Sequence, residues 1–589
     1  MISANSVAAR RAPVALVFAF LGSSAAVSQQ AENTAPLAGL WTAERTFGPE
    51  VGGPVVIRRV DGELWAEIGG RAVRVDSTGR GIRFDLAGDR GHFRGSISAA
   101  GDSIRGHWVQ PWNYSSFSRL ATPVTLVRRS DDAWVGTATP LRDRLRFQLA
   151  IERSDGGGLA AFLRNPEANL GRFYPIHEVS LVGSDVRFLD AQGQVRLEGK
   201  YHADHDRLSV YFPRNGGTYD FTRDDAGTAP FLPRDVASAE YRYRRPLAAE
   251  GWESARAEDV GMATEPLVEL VRRIAATPID ALEAPYIHGF LIARDGKLIL
   301  EEYFHGLSRH DPHGTRSASK AVTATLVGVG EHAGLLSREA SVFEAMLGTP
   351  LPAGLDVRAR ALTLEHLITN TSGLACDDFD PDSPGSEDAM QNQDEQPDWF
   401  GYMLELPFVH PPGTHAAYCS GGLNLAGGVV SRISGEWLPN FFRDRFADPL
   451  GMGTYHVNLT PTGEAYGGGG LYIRPRDFLK LGQLYLDDGV WKDRRLLDEG
   501  WAAEATTPRF LIRDEGYGYG WWVISYPFEG RRVDAFYAGG NGGQYVIVVP
   551  ELSLNIAILG GNYNQPVMHV PKYDYVPEYV LRSVEVGRR

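Results

Sequence analysis

The hydrophobic pattern of this chain changes near residue 225, and that change constrains the fold more than any other feature of the sequence. From residue 37 to about 223, short runs alternate apolar and polar residues and are separated by turn dipeptides such as Asp61-Gly62. Period-two runs of this kind predict the strands of a β-sandwich or barrel. The next clear segment, Glu265 to Ala276, instead has the apolar spacing of an amphipathic helix. The sequence therefore predicts a multidomain protein whose N-terminal region is all β.

An internal repeat divides the β-rich region 37–225. The stretch that begins with IRFDLAGDRG and ends in VTLVRR is echoed about 100 residues later by one that begins with VRFLDAQGQV and ends in YDFTR. This repeat predicts two related β units of the barrel or sandwich type. The segment 226–250 that follows contains Pro, Ala and a mixed charge cluster without a clear period, and it is predicted to be a linker.

The segment 251–585 combines helices and long loops with strands at both of its ends. IHGFLIA and KLILEEYF flank the turn at residues 294–296, and QYVIVVPE and LNIAILGG lie towards the C-terminal end. Because strands stand at both ends, we predict an α+β or α/β domain in which the two ends of the segment share one sheet.

Residues 1–28 have the three-part layout of a secretory signal. Two arginines precede an apolar run over residues 12–21, and small residues with a plausible cleavage site after Ser28 follow. The run is shorter than the ~20 residues that span a bilayer, although a short membrane anchor is an alternative. We therefore expect an exported protein, periplasmic or extracellular, with no stable membrane span in its mature form. In that oxidising setting Cys376 and Cys419 are candidates for a disulfide.

The charge of the chain disfavours nucleic acid as a partner and makes lysine a rare residue. The formal net charge is −14, so the basic surface that phosphate neutralisation requires is missing. Only six of the 59 basic residues are lysines. Lys320 is the only one of these six with a serine, Ser317, three residues before it.

Ser317 and Lys320 open the apolar helix SASKAVTATLVGVG and lie on one helical face because of their spacing. The helix N-terminus supplies positive potential and free N–H groups, which favour a developing alkoxide. Burial among Ala, Val and Leu should lower the pKa of the lysine, so that it can accept the serine proton. The simpler alternative is a helix cap next to a surface lysine.

Two further groups of residues point to chemistry. Tyr418-Cys419-Ser420 stands at a loop end before a Gly-rich helix start, where a phenol can carry a proton if its pKa is depressed. The segment YAGGNGG, residues 537–543, lies between strands. Its glycines permit a ligand to approach the backbone, and exposed N–H groups there can form half of an oxyanion hole. The alternatives are a packing tyrosine and a plain tight turn.

Together these groups resemble the penicillin-recognising serine hydrolases, a family that includes class C β-lactamases, D-alanyl-D-alanine carboxypeptidases, family VIII esterases and 6-aminohexanoate-dimer hydrolases. The stretches LTLEHLITNTSGL, FFRDRFADPLGM and GGGGLYIRPRDFLKLGQLYLDDGVW are similar to recurring segments of that family and come in the same order. The resemblance covers about residues 250–565. It implies a β-lactamase/transpeptidase-like domain with an antiparallel sheet flanked by helices, and it leaves the N-terminal region unmatched.

Carried over position by position, the resemblance implies a mechanism without a metal or an organic cofactor. Ser317 would be the acylated nucleophile and Lys320 its base. Tyr418 would pass the proton to the leaving group and then activate water. The backbone N–H groups of Ser317 and Gly540 would form the oxyanion hole. The substrate-binding positions would be Ser420, Tyr537, Ala538 and Gly539.

Two departures from the family pattern decide the expected substrate. At the position of the family motif Tyr-x-Asn, this chain has Tyr418-Cys419-Ser420. A serine hydroxyl therefore replaces the side-chain amide that contacts an acylamino group in the family. At the position of the family motif Lys-Thr-Gly or His-x-Gly, this chain has Tyr537-Ala538-Gly539 and so lacks the cation. A hydrogen bond from such a cation to a substrate carboxylate is worth roughly 1.5–3 kcal/mol. We therefore expect a serine hydrolase that cleaves an ester or small linear amide. The alternatives are a β-lactamase or D-alanyl-D-alanine carboxypeptidase-like enzyme, which would take a lactam or peptide, and a non-catalytic binding protein that keeps the fold.

The loop after Cys376 carries Asp378, Asp380 and Asp382 at an every-second-residue spacing that can bind calcium. The glycine and the closing glutamate of a calcium loop are absent, so no metal site is predicted there. Because the loop follows the TSGL segment, we expect it to rim the active site and to favour substrates that carry an amine.

Overall fold

The computed structural model describes residues 35–154, 157–165, 171–172, 176–213, 216–224, 240–277, 284–392 and 397–585. The predicted signal, 1–28, lies outside the described residues, as do residues 226–239 of the predicted linker. None of the helices in the described ranges has both the length and the apolar character that a bilayer crossing requires.

The described part of the N-terminal region is built from strands, as its alternating pattern predicts. Its strands are β1 (Gly39–Gly48), β2 (Gly53–Val60), β3 (Glu63–Ile68), β4 (Arg71–Arg74), β5 (Asp76–Thr78), β6 (Gly81–Asp85), β7 (His92–Ile97), β8 (Ser103–Val109), β9 (Arg119–Ser130), β10 (Ala133–Ala138), β11 (Asp143–Arg153), β12 (Leu159–Asn165), β13 (Gly171–Arg172), β14 (Ile176–Val182), β15 (Asp185–Leu189), β16 (Val195–His202), β17 (Arg207–Phe212) and β18 (Gly217–Arg223).

These strands form two β units that are nested rather than consecutive. One is a closed antiparallel barrel in the order β11-β1-β18-β17-β16-β15-β14-β12, which closes because β12 also pairs with β11. The other is a sheet in the order β4-β3-β2-β10-β9-β8-β7-β6-β5, inserted between β1 and β11. Each has its own core, around Trp41 and Phe147 in the first and around Phe84 and Trp108 in the second. The alternating pattern predicts the strands but not their partners, so it does not reveal that β1 completes the later barrel.

The C-terminal domain alternates strands and helices. Its strands are β19 (Glu253–Ser254), β20 (Ile287–Arg294), β21 (Lys297–Tyr303), β22 (His313–Gly314), β23 (His456–Leu459), β24 (Leu471–Ile473), β25 (Val490–Trp491), β26 (Arg494–Arg495), β27 (Phe510–Ile512), β28 (Glu515–Tyr517), β29 (Trp522–Phe528), β30 (Arg531–Gly540), β31 (Gln544–Val549) and β32 (Leu554–Gly560). Its α-helices are α1 (Thr264–Ala275), α2 (Ser319–His332), α3 (Val342–Leu347), α4 (Leu364–Ile368), α5 (Glu387–Gln391), α6 (Trp399–Glu405), α7 (Ser420–Ser434), α8 (Leu438–Phe442), α9 (Pro475–Leu486) and α10 (Trp501–Thr506).

The two ends of this domain share one sheet, which confirms the prediction. The strand order is β19-β21-β20-β32-β31-β30-β29-β28-β27, antiparallel except for the parallel pair β19–β21. One face packs on α2 and α9, with α7 packed against α2, and the other face packs on α1 and a C-terminal π-helix, Pro571–Val580. Helix α2 is buried from its first residue to Gly330, which accounts for its apolar sequence.

An extended sheet joins the N-terminal region to the segment that leads into Ser317. Strand β9 pairs with β23, β23 with β24, and β24 with β22. Polar contacts reinforce this junction: Thr122 Oγ1 lies 2.7 Å from His456 Nδ1, and His107 Nδ1 lies 3.1 Å from Asn440 Oδ1. The N-terminal region therefore supports the backbone that precedes Ser317.

Residues 240–250, which the sequence assigns to the linker 226–250, pack against the C-terminal domain. Tyr241 is buried, and its hydroxyl donates to Glu302 Oε1 at 2.6 Å. The Tyr243 hydroxyl donates to Ile299 O at 2.8 Å. The sequence misses this packing because single anchoring tyrosines leave no periodic pattern.

Candidate active site

A tight turn presents Ser317 at the start of a buried helix. Residues Arg316–Ala318 form a 3₁₀ turn that runs directly into α2. Thr315 fixes the entry to this turn, because its N–H and its hydroxyl both donate to Leu471 O, at 2.9 and 2.8 Å. Arg316 has a φ of 51°, in the left-handed region that residues with a side chain rarely adopt. Strand β24 thus holds an unusual backbone conformation just before the serine.

The structure places Lys320 beside Ser317. Lys320 Nζ lies 2.8 Å from Ser317 Oγ and donates to Gly468 O at 2.7 Å. The lysine side chain is only 1% exposed. Burial lowers the pKa of Lys320, and the charges of Glu387 and Asp378 oppose that effect. A neutral Lys320 at this distance can accept the proton of Ser317 Oγ.

The aromatic ring of Tyr418 packs against Lys320. Its ring centroid is 4.7 Å from Lys320 Nζ, and Ser317 is near enough to its hydroxyl to oppose the effect of burial on the pKa of Tyr418. Burial nevertheless raises the pKa of Tyr418, so the depressed value that the sequence analysis considered is not found. Lys320 is therefore the candidate base of this arrangement, and Tyr418 is a buried phenol beside it.

Aromatic rings surround Tyr418 and make one wall of the site apolar. Phe379 stacks on Tyr418 with ring centroids 5.2 Å apart, and Trp522 lies 5.4 Å away. Tyr517 meets the Tyr418 ring edge-on at 6.3 Å. Phe379 is 38% exposed, so it contributes apolar surface at the rim. The predicted placement of the 376–386 loop next to the site is what the structure shows.

Gly540 ends β30 directly against the turn that carries Ser317. A Cβ atom on Gly540 would lie 3.1 Å from Ala318 N and would collide with Thr315 O. Only glycine permits this close approach of the two backbones. The structure therefore brings together the two backbone segments, at Ser317 and Gly540, whose N–H groups the sequence analysis assigns to the oxyanion hole.

The side chains of Tyr537 and Ala538 on β30 are buried in the protein core and are not exposed to a substrate. Ala538 is fully buried in the core against α2, and Gly539 has no side chain to offer. Tyr537 is buried on the opposite face, where its hydroxyl donates to Glu515 and accepts from Lys572 Nζ at 2.7 Å. Lys572 is thus a cation close to this motif, which has none of its own. Its ammonium group is paired with Glu515 Oε1 at 3.3 Å.

Ser420 is fully buried and contacts Asp378, a residue that the sequence analysis left in the rim loop. The Ser420 N–H and hydroxyl donate to Asp378 Oδ2 at 2.8 and 2.6 Å. Asp378 Oδ1 accepts a third hydrogen bond from the Glu387 N–H at 2.8 Å. Burial raises the pKa of Asp378, and the charge of Lys320 opposes this. Ser420 therefore positions a carboxylate on the lysine side of the site.

Sequence reasoning missed Glu387 entirely. Its carboxylate accepts from the Tyr466 hydroxyl, and its charge acts on Lys320 more strongly than that of Asp378. Glu387 begins the short helix α5, seventy residues after Ser317. Nothing in the local pattern distinguishes it from the other acidic residues of this loop. Only the folding of the loop onto α7 reveals its position.

A disulfide joins the two loops that carry these groups. Cys376 and Cys419 are bonded, with their Cα atoms 5.5 Å apart. Tyr418 and Ser420 flank one cysteine, and Asp378 follows the other by two residues. The Asp378 N–H also donates to Tyr418 O at 2.7 Å. The disulfide therefore anchors the phenol and the carboxylate to each other.

A known sequence family matches the part of the chain that contains this site. The model of the family described as Beta-lactamase matches residues 279–568. That range contains Ser317, Lys320, Tyr418 and Gly540, and it begins after the N-terminal β units. Family members are serine hydrolases.

Proteins similar to this chain include a penicillin-binding protein and two hydrolases that are named for different substrates. Penicillin-binding protein 4 of Amycolatopsis lactamdurans is 27% identical over 41% of this chain and 70% of its own length. The 6-aminohexanoate-dimer hydrolase of Paenarthrobacter ureafaciens is 24% identical over 48% of this chain and 72% of its own length. The lovastatin esterase of Penicillium rubens is 30% identical, but the match covers only 23% of this chain and 42% of the esterase.

Proposed function

Residues 279–568 form a domain of the β-lactamase family of serine hydrolases, and on this premise we propose that the protein cleaves an ester or small linear amide through an acyl-enzyme on Ser317. The observation that carries the proposal is the contact between Lys320 Nζ and Ser317 Oγ at 2.8 Å. Burial lowers the pKa of this lysine, so a base is available where the nucleophile needs one.

The proposed reaction proceeds in two proton-balanced steps. Neutral Lys320 accepts the Ser317 proton as Oγ attacks the substrate carbonyl, and the N–H groups of Ser317 and Gly540 stabilise the oxyanion. The proton then passes through the Tyr418 hydroxyl to the departing alcohol or amine. In deacylation a water molecule takes the place of the leaving group and gives up its proton along the same path, which releases the acid and restores Ser317.

The surroundings of the serine support an ester or linear amide rather than a carboxylate-bearing peptide or lactam. Phe379 and Trp522 offer an apolar wall to an acyl or alcohol chain. The third motif has no cation of its own, and Lys572 is already paired with Glu515. A substrate carboxylate would therefore lack the charge-assisted partner that strengthens such contacts.

We also propose that the protein acts outside the cytoplasm. The three-part layout of residues 1–28 supports export. A disulfide between Cys376 and Cys419 agrees with an oxidising compartment.

The proposal is tested by intact-mass labelling of the purified protein with a fluorophosphonate, next to Ser317→Ala. We expect one adduct on the wild type and none on the variant, with hydrolysis of p-nitrophenyl esters and little hydrolysis of nitrocefin. Rapid nitrocefin turnover would instead favour a β-lactamase. A wild type that neither labels nor hydrolyses any of these substrates would favour a binding protein that keeps the fold.

A further inference from the structure

Two carboxylates line the lysine side of the proposed active site and are not used by the reaction. Asp378 is fixed by three hydrogen bonds, two from Ser420 and one from the Glu387 N–H. Glu387 Oε1 accepts from the Tyr466 hydroxyl and from Gln391 Nε2. Both side chains are therefore held in place by donors that carry no charge.

These carboxylates face the reacting groups. Their charges act on Lys320, on Tyr418 and on Tyr466. A Cβ atom built on Gly469, the residue after the carbonyl that accepts from Lys320, would lie 3.8 Å from Glu387 Oε1. Glu387 is partly exposed.

The charge of this wall is not neutralised by the protein. Within the described ranges, neither Asp378 nor Glu387 forms an ion pair with a lysine, an arginine or a histidine. Lys320 is the cation that their charges reach, and it must be neutral to act as a base. With Lys320 neutral, these two acidic side chains therefore have no ion-pair partner among the described residues.

We propose that Asp378 and Glu387 are specificity-determining residues that select ester or amide substrates carrying a primary ammonium group. This inference rests on the proposed function, since it concerns the substrate of the same site. Ser420 contributes indirectly. A side-chain amide at this position would offer a substrate both a hydrogen-bond donor and an acceptor, whereas the Ser420 hydroxyl holds the carboxylate of Asp378, which only accepts hydrogen bonds. The partner that best complements such a wall is a cationic donor.

The experiment compares isosteric substrates that differ by one charge. The first pair is p-nitrophenyl 6-aminohexanoate and p-nitrophenyl heptanoate, with the ammonium on the acyl side. The second pair is the hexanoate esters of 4-(aminomethyl)phenol and 4-ethylphenol, with the ammonium on the leaving group. The readout is the ratio of kcat/KM for the charged and the neutral ester, in which any change in Lys320 basicity cancels.

We expect the wild type to prefer the charged member of at least one pair by about ten-fold at low ionic strength, and the preference to decrease with salt. Asp378→Asn and Glu387→Gln should each remove most of that preference. The matched control is Asp380→Asn, which removes the same charge from an exposed position of the same loop. It should leave the ratio unchanged.

Each outcome bears on the inference. Equal use of both members of both pairs by the wild type overturns it. An equal decrease in Asp380→Asn also overturns it, because general attraction by an acidic protein would then explain the preference. If Asp378→Asn does not fold, Glu387→Gln and the salt dependence of the wild type decide. Failure of the proposed function is distinguishable, because Ser317 would then not be needed for hydrolysis of the neutral esters.

Discussion

Two buried clusters in the C-terminal domain contain the same kinds of residue but differ in what the lysine contacts. In the serine cluster, Lys320 lies over Tyr418 at 4.7 Å and next to Ser317 Oγ at 2.8 Å. In the strand cluster, Lys572 lies over Tyr537 at 4.1 Å and pairs with Glu515 at 3.3 Å. Both lysines are almost inaccessible to solvent.

The difference makes Lys320 the candidate base and Lys572 a structural cation under the proposed function. Burial lowers the pKa of both lysines. In the strand cluster Glu515 opposes this through its charge and a hydrogen bond, so the protonated form has a direct partner. In the serine cluster the opposing carboxylates act only through space, and the close neighbour of Nζ is a hydroxyl. Residue types alone therefore do not assign the role of the lysine.

The largest expected effect is on turnover. Ser317→Ala and Lys320→Met should each reduce kcat/KM for a p-nitrophenyl ester by about 10³-fold or more, because each removes a member of the nucleophile–base pair. Lys572→Met should reduce it by less than about ten-fold, since its ammonium contacts a structural tyrosine. Steady-state kinetics on the three variants test this. A loss in Lys572→Met as large as that in Lys320→Met would contradict the distinction.

The next expected effect is on stability, and it concerns the covalent link that only the serine cluster has. The disulfide spans a sequence separation of 43 residues. Closing a loop of that length should stabilise the fold by about 4 kcal/mol in the chain-entropy model. The double variant Cys376→Ser/Cys419→Ser should therefore unfold at a markedly lower denaturant concentration than the wild type. Denaturation curves that coincide would show that the link contributes little.

The strands and the contact between Ser317 and Lys320 could be predicted from the sequence because both are local. Ser317 and Lys320 are one helical turn apart, so their proximity follows from the helix. The same holds for hairpins such as β20–β21, whose turn is visible in the sequence. The sharing of one sheet by β20 and β32 was also predictable, since strands stand at both ends of the domain.

The remaining features depend on contacts between distant segments. In the sequence, Glu387 lies seventy residues after Ser317, and Lys572 lies thirty-five residues after Tyr537. Only the fold brings each of them into its cluster. The high pKa of Tyr418 results from burial by rings of three other segments, which its own sequence neighbours do not indicate. The closure of the first barrel by β1 depends on strand pairing across a long insertion. Local spacing carries no information about any of these.

The same substitution should change the stability of the two clusters in opposite directions. Burial also lowers the pKa of Lys572, but Lys572→Met leaves Glu515 partly buried without its cation, and the loss of this ion pair should destabilise the fold by about 1–3 kcal/mol. Lys320→Met removes an ammonium whose pKa is lowered by burial. Such a group destabilises the folded protein when the pH is below the pKa of the group in the folded state. This destabilisation decreases as the pH rises towards the pKa of the group in the unfolded state. Lys320→Met should therefore keep or raise stability by up to about 1 kcal/mol, most clearly at low pH.

Thermal and denaturant unfolding of the two variants over a range of pH measure this difference. Ser317→Ala serves as a further reference, since it removes the hydroxyl and keeps the ammonium. If both lysine variants lose stability equally at every pH, the burial of Lys320 without a close carboxylate does not destabilise the fold. The two clusters then do not differ in their contribution to the free energy of unfolding.

The smallest expected effect is a shift in the pH dependence of turnover. If neutral Lys320 is the base, kcat/KM for a neutral ester rises with pH through the pKa of that lysine. The charge of Glu387 raises the pKa of Lys320. Glu387→Gln should therefore move the rising limb to lower pH, by up to about one unit. Glu515→Gln makes the same change beside Lys572, and it should leave the limb in place. A limb that moves equally in both variants, or moves upwards in Glu387→Gln, would remove Lys320 from the role of base.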